Sequence, residues 1–146
     1  MFWRPVRIEF FDETILRIKN LNPDVPILLL GNGTILKRGF SQIAADISLD
    51  RGAVIPEKFI YPMTFSLDTQ VVELAERYEG VYLASRNAFV CPGNKCAVYT
   101  PSGRDFVTYD RVHFSATASR EFGQAVLRPW LERFQLGRPI SSNDGK

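Results

Sequence analysis

Val25-Pro26-Ile27-Leu28-Leu29-Leu30-Gly31-Asn32-Gly33 decides the fold class of this chain. Its aliphatic run is too short for a helix, and its apolar residues are continuous rather than alternating. Such a run, closed by glycine, reads as a fully buried strand of a parallel sheet over residues 25–30. Gly31-Asn32-Gly33 reads as a tight turn needing positive φ. It also falls at the carboxyl end of a strand, where open α/β sheets place their clefts, so Gly31 and Asn32 are candidate cleft-lining residues.

Upstream, residues 6–20 carry Val6, Ile8, Phe10, Phe11, Ile15, Leu16 and Ile18 among charged residues, the spacing of an amphipathic helix. Asn20-Leu21-Asn22-Pro23 stops it, because proline disfavours helix at the preceding residue. Downstream, residues 37–48 read as a helix over Phe40, Ile43, Ala44 and Ile47, and 53–63 as an irregular, proline-interrupted stretch. Ser66 reads as an N-cap of a helix over Leu67–Tyr78 with Val71, Val72, Leu74 and Ala75 inward. Val81-Tyr82-Leu83-Ala84 reads as a second parallel strand. Ala97–Tyr99 and Phe106–Tyr109 read as short extended segments around the Pro101-Ser102-Gly103 turn. Residues 116–134 read as a long final helix capped by Ser115, with Phe122, Ala125, Val126, Leu127, Trp130, Leu131 and Phe134 apolar.

Helix, strand, helix, helix, strand and helix is an α/β order with parallel strands. Two core strands are few for a doubly wound sheet, so the pattern reads as half of one. With 146 residues, 45% hydrophobic, the chain is enough for one domain with a real core and too little for two domains. We expect a single domain over residues 1–136 and a flexible polar tail over 137–146.

Composition excludes several classes. A net charge of +2 with no dense basic stripe argues against nucleic-acid binding. No apolar run approaches the roughly 20 residues of a membrane span, and the N-terminus has no secretory h-region. The two cysteines, Cys91 and Cys96, lie in Cys-Pro-Gly-Asn-Lys-Cys. They could be unrelated thiols, part of a zinc site or a small-loop disulfide. Zinc needs more ligands and the chain has one histidine, His113, so no metal is expected. The disulfide is favoured, and it implies an oxidising compartment.

The chemistry lies in Tyr109-Asp110-Arg111-Val112-His113-Phe114-Ser115. An Asp and a His three apart can meet across one turn. The carboxylate then accepts the imidazole Nδ1–H and leaves Nε2 to take a proton from a nucleophilic hydroxyl. The plainer reading is a helix-start aspartate beside a surface histidine. Among the serines, Ser41 in Gly39-Phe40-Ser41-Gln42 is no nucleophile elbow, and Ser85 follows the second strand, a cleft position also suited to a local hydrogen bond. Ser85 and Ser115 join the candidate cleft-lining residues.

Taken together, Cys91, Cys96, Tyr109-Asp110, His113-Phe114-Ser115 and the helix from Ala116 resemble the end of the SGNH hydrolase-like domain carried by bacterial membrane acyltransferases. These O-acetyltransferases modify lipopolysaccharide O-antigen and other envelope glycans. Phe114 stands where the family usually has leucine. Leu21–Leu30 also looks like the family's helix-to-strand passage. The resemblance implies a three-layer α/β/α, flavodoxin-like fold, of which this chain covers the C-terminal half. It implies His113 as general base and acid, with Asp110 orienting it. It also implies an acetylated glycan or sugar substrate, no cofactor, and a periplasmic place beside a membrane acyltransferase domain.

The departure is that this chain has no Gly-Asp-Ser and no separate glycine and Gly-x-Asn oxyanion elements. Those are expected in a half preceding Met1, with Phe2-Trp3 as a remnant of the strand before the first helix. The alternative is a non-catalytic glycan-binding or accessory module of an envelope protein. A third reading is a cytosolic α/β protein with reduced cysteines.

Overall fold

The computed structural model describes residues 8–134. The tail expected at 137–146, and the positions of Phe2, Trp3 and Val6, lie outside the described residues.

Helix α1 spans Ile8–Leu21 and ends where the Asn22-Pro23 stop was expected. Strand β1 spans Ile27–Leu30, helix α2 Phe40–Ala44, helix α3 Met63–Glu76 and strand β2 Val81–Ala84. Helix α4, Arg86–Val90, follows at once. The final helix has α5 over Ala116–Phe122, a π turn over Gly123–Leu127, and α6 over Arg128–Arg133. β1 and β2 pair in parallel, Ile27 beside Val81 through Leu30 beside Ala84. The architecture is α/β with a parallel sheet and a long C-terminal helix, as the sequence predicts.

Ile27, Leu29, Val81 and Leu83 share one sheet face and pack on Ile15 of α1 and on Val71, Leu74 and Ala75 of α3. On the opposite face Tyr82 meets the rings of Trp130 and Phe134, at centroid distances of 6.3 and 5.1 Å. Leu30 is 60% exposed, and β1 is not the fully buried strand expected.

A second core lies beneath the loops. Leu36, Phe40, Ile43, Phe59, Val90 and Val98 are among its buried residues. Short antiparallel bridges tie these loops together: Val54 with Ala97, Tyr99 with Phe106, and Thr108 with Phe114. The extended segments expected on either side of Pro101-Ser102-Gly103 are thus paired with each other.

Several elements differ from their sequence readings for local reasons. The helix expected over 37–48 shrinks to α2, because Leu36 bridges Ile60 and Lys37 N–H donates to Phe59 O. Helix α3 starts at Met63, with Pro62 at its N-cap position. Proline's fixed φ is already helical there, and its missing N–H costs nothing at a helix start. Ser66 is consequently no cap; its hydroxyl donates to Met63 O within the first turn. Val72, expected inward, is on the exposed side of α3. In the last helix Pro129 has no N–H to donate to the carbonyl of Ala125 and its ring crowds that carbonyl, so the chain widens into the π turn. Of the apolar positions of this helix, Ala125 and Leu131 are exposed.

Candidate active site

Thr108 and Phe114 bridge at the neck of a loop, and Ser115 N–H donates to Val107 O at 2.8 Å. Residues 109–113 are the loop that this neck closes. Aspartate side chains in turns accept from backbone N–H groups ahead of them. Here Asp110 Oδ1 accepts from Val112 N at 2.7 Å and from His113 N at 2.8 Å. Its other oxygen, Oδ2, lies 2.6 Å from His113 Nδ1. A single carboxylate thus holds both the backbone and the ring of the histidine.

The loop is fastened to the rest of the molecule by backbone. Leu36 N–H donates to Arg111 O at 2.8 Å, and Phe40 N–H donates to Asp110 O at 3.1 Å. Arg111 Nε donates back to Leu36 O at 3.1 Å. The His113 side chain is 77% exposed, and Nε2 has no hydrogen-bond partner among the described residues. With Nδ1 engaged by the carboxylate, Nε2 is the atom left to exchange a proton with a substrate or a nucleophile.

Two opposing effects act on Asp110. Partial desolvation pushes its carboxyl upward. The hydrogen bonds from the His113 amide and ring and from the Val112 amide, with the charge of the imidazole, outweigh it and bring the carboxyl down from 3.8 to about 2. The group therefore stays ionised at neutral pH, the state needed to accept Nδ1–H and stabilise an imidazolium.

The strand-end candidates divide. Gly31 is buried and Gly33 approaches the loop: a Cβ on Gly33 would lie 3.5 Å from Val112 O. The β1 exit and the Asp110–His113 loop are thus neighbours at one end of the sheet. Neither glycine has a positive φ, contrary to the turn expected from sequence. Gly31 is required by space instead, since a Cβ there would sit 2.6 Å from Asp68 Oδ1 and 3.1 Å from Ser85 Cα. Asn32 is half-buried and makes no hydrogen bond among the described residues.

Ser85 caps α4, accepting from Ala88 N at 2.8 Å, while its hydroxyl donates to Asp68 Oδ2. Its proton is directed to Asp68 and not to His113. Ser115 is buried and caps α5, accepting from Ala118 N at 3.1 Å. It does not line an open cleft. Helix α4 was absent from the sequence reading because five residues carry no usable periodicity; Ser85 as a cap was its only signal.

Cys91 and Cys96 form a disulfide. It follows α4, and Thr34 Oγ1 contacts Cys91 Sγ at 2.9 Å and donates to Asn87 Oδ1 at 3.1 Å. Cys96, Thr34 and His113 border one small cavity of about 10 Å³, so the disulfide lies directly behind the histidine loop. No three His, Cys, Asp or Glu side chains gather as metal ligands among the described residues.

The periplasmic domain of a lipopolysaccharide acetyltransferase from Salmonella ser. Paratyphi A superposes on this chain with a TM-score of 0.61. The fold is SGNH-like. The match covers 80% of this chain at 17% sequence identity and 46% of the Salmonella domain, so this chain spans less than half of that domain's length. No family model and no curated protein sequence matches the chain. No helix among the described residues is long and apolar enough to cross a membrane.

Proposed function

We propose that this chain supplies the Asp-His part of a serine acyltransferase or esterase site that acts on acetylated envelope glycan. The observation that carries the reading is the 2.6 Å contact between Asp110 Oδ2 and His113 Nδ1, with the other ring nitrogen exposed. The SGNH-like fold and its likeness to a periplasmic lipopolysaccharide acetyltransferase domain support the substrate class and a periplasmic location.

In this mechanism His113 Nε2 takes the proton of a serine hydroxyl as its oxygen attacks the acetyl carbonyl. The imidazolium then gives that proton to the departing alkoxide, leaving an acetyl-serine. An acceptor sugar hydroxyl, or water, reverses the sequence and regenerates the serine. Asp110 stays ionised and holds the ring with Nε2 outward throughout. The serine and the oxyanion donors come from a segment preceding this chain in the complete domain, beside a membrane acyltransferase domain. Ser85 and Ser115, both committed to helix caps, do not take the serine's place.

Hydrolysis of p-nitrophenyl acetate by this chain alone tests the reading. Turnover at the level of buffer is expected, unchanged by His113→Ala. Robust turnover by the isolated chain that His113→Ala abolishes would overturn it.

A further inference from the structure

We propose that Arg86 is a positioning residue for His113, clamping the histidine loop onto the exits of both strands. The inference rests on the reading of His113 as the site's proton carrier.

Arg86 opens α4 directly behind the end of β2. Its Nε donates to Gly31 O, the first carbonyl beyond β1, at 3.2 Å. Its guanidinium carbon lies 5.7 Å from the centroid of the Phe114 ring, close enough for a cation–π contact. Phe114 is the residue after His113, and Phe122 and Phe89 also pack against its ring, at 6.0 and 6.3 Å. One side chain therefore joins the exit of β1, the exit of β2 and the chain leaving His113.

Gly33 fits this arrangement. A Cβ there would lie 3.6 Å from the Arg86 guanidinium carbon and 3.5 Å from Val112 O, so the β1 turn passes beside both the clamp and the loop. Arg86 forms no ion pair with a carboxylate among the described residues. Its guanidinium is placed by a carbonyl and a ring, which calls for a planar group that donates in its plane and stacks through its face. Lysine has a single nitrogen, and no planar fork, to divide between the two.

The clamp matters because the Asp110–His113 pair is exposed and local. The pair sets the ring relative to the loop, while the backbone bonds of Asp110 and Arg111 hold the loop's first half. Arg86 acts on the second half through Phe114. Loosening it frees the His113 backbone that Asp110 Oδ1 grips, and with it the ring's preferred tautomer.

The chain has one histidine, so imidazole ¹⁵N shifts report His113 alone. The measured quantity is the share of neutral His113 carrying its proton on Nδ1. The unsubstituted chain is expected to hold mostly that tautomer. Arg86→Ala is expected to lower its share about twofold or more, with Arg86→Lys failing to restore it and the circular dichroism spectrum unchanged. Phe114→Leu removes the ring from beneath the guanidinium and is expected to act in the same direction, which keeps the test open if Arg86→Ala does not fold. A tautomer share unchanged in these variants, or fully restored by lysine, overturns the proposal. Because the readout is the proton position and not turnover, failure here is distinguishable from failure of the catalytic reading.

Discussion

Asp110 holds His113 twice, taking its backbone N–H on Oδ1 at 2.8 Å and its ring nitrogen on Oδ2 at 2.6 Å. The ring cannot turn away while the carboxylate is ionised without losing the second contact. Orientation and ionisation of the pair are thus one property of one carboxylate.

That property has a pH signature. The Asp110 carboxyl is lowered from 3.8 to about 2, because hydrogen bonds from His113 and Val112 overcome the upward push of partial desolvation. A lowered carboxyl contributes stability that is complete above its unfolded value and is lost as pH falls through the folded one. The loop should therefore stay ordered down to about pH 4 and loosen between about 4 and 2. Since the Asp110 side chain is 52% exposed, solvent screens the effect, and it should be read locally. The amide resonances of Val112 and His113 should shift together in that window. Shifts centred near the ordinary aspartate value would show that the carboxylate is not held.

Ser85 and Ser115 should behave as caps. Ser85→Ala removes the acceptor for Ala88 N and the donor to Asp68, whose Oδ1 is already buried without a partner. Ser115→Ala removes the acceptor for Ala118 N. Each substitution should cost about 1 kcal/mol or somewhat more in urea unfolding. Any turnover in a protein that completes the site should survive Ser85→Ala. Abolished turnover at unchanged stability would make Ser85 the nucleophile.

Gly31→Ala forces a methyl to within 2.6 Å of Asp68 Oδ1 and 3.1 Å of the Ser85 backbone, so something must move. A loss of about 1–3 kcal/mol is expected. Gly33→Ala meets only ordinary contacts beyond 3.4 Å and should stay within about 0.5 kcal/mol of the unsubstituted chain. Equal costs at the two glycines, by denaturant titration, would count against this packing.

The parts of the fold legible in the sequence were those written in periodicity and punctuation. Ile27–Leu30 and Val81–Ala84 stood out as apolar runs closed by turns, and Asn22-Pro23 marked the end of α1. What escaped depended on neighbours. Leu30 is 60% exposed at the end of a strand whose apolar run reads as buried throughout. Pro129 was read inside a continuous helix, and the π turn at Gly123–Leu127 interrupts it. At the site, Asp110 and His113 were legible because their contact is local, three residues apart. The helix-capping role of Ser85 and the reach of Arg86 to Gly31 and Phe114 span distant parts of the chain, and no spacing in the sequence encodes them.

The most direct test of the account is acetyl-ester turnover by this chain expressed together with the in-frame coding sequence upstream of Met1. A Gly-Asp-Ser is expected in that sequence, with turnover that this chain lacks. His113→Ala should abolish the turnover and Asp110→Asn should lower it by about a thousandfold or more, through the wrong imidazole tautomer. Turnover indifferent to His113→Ala, or an upstream sequence that adds no serine nucleophile and no activity, would contradict it.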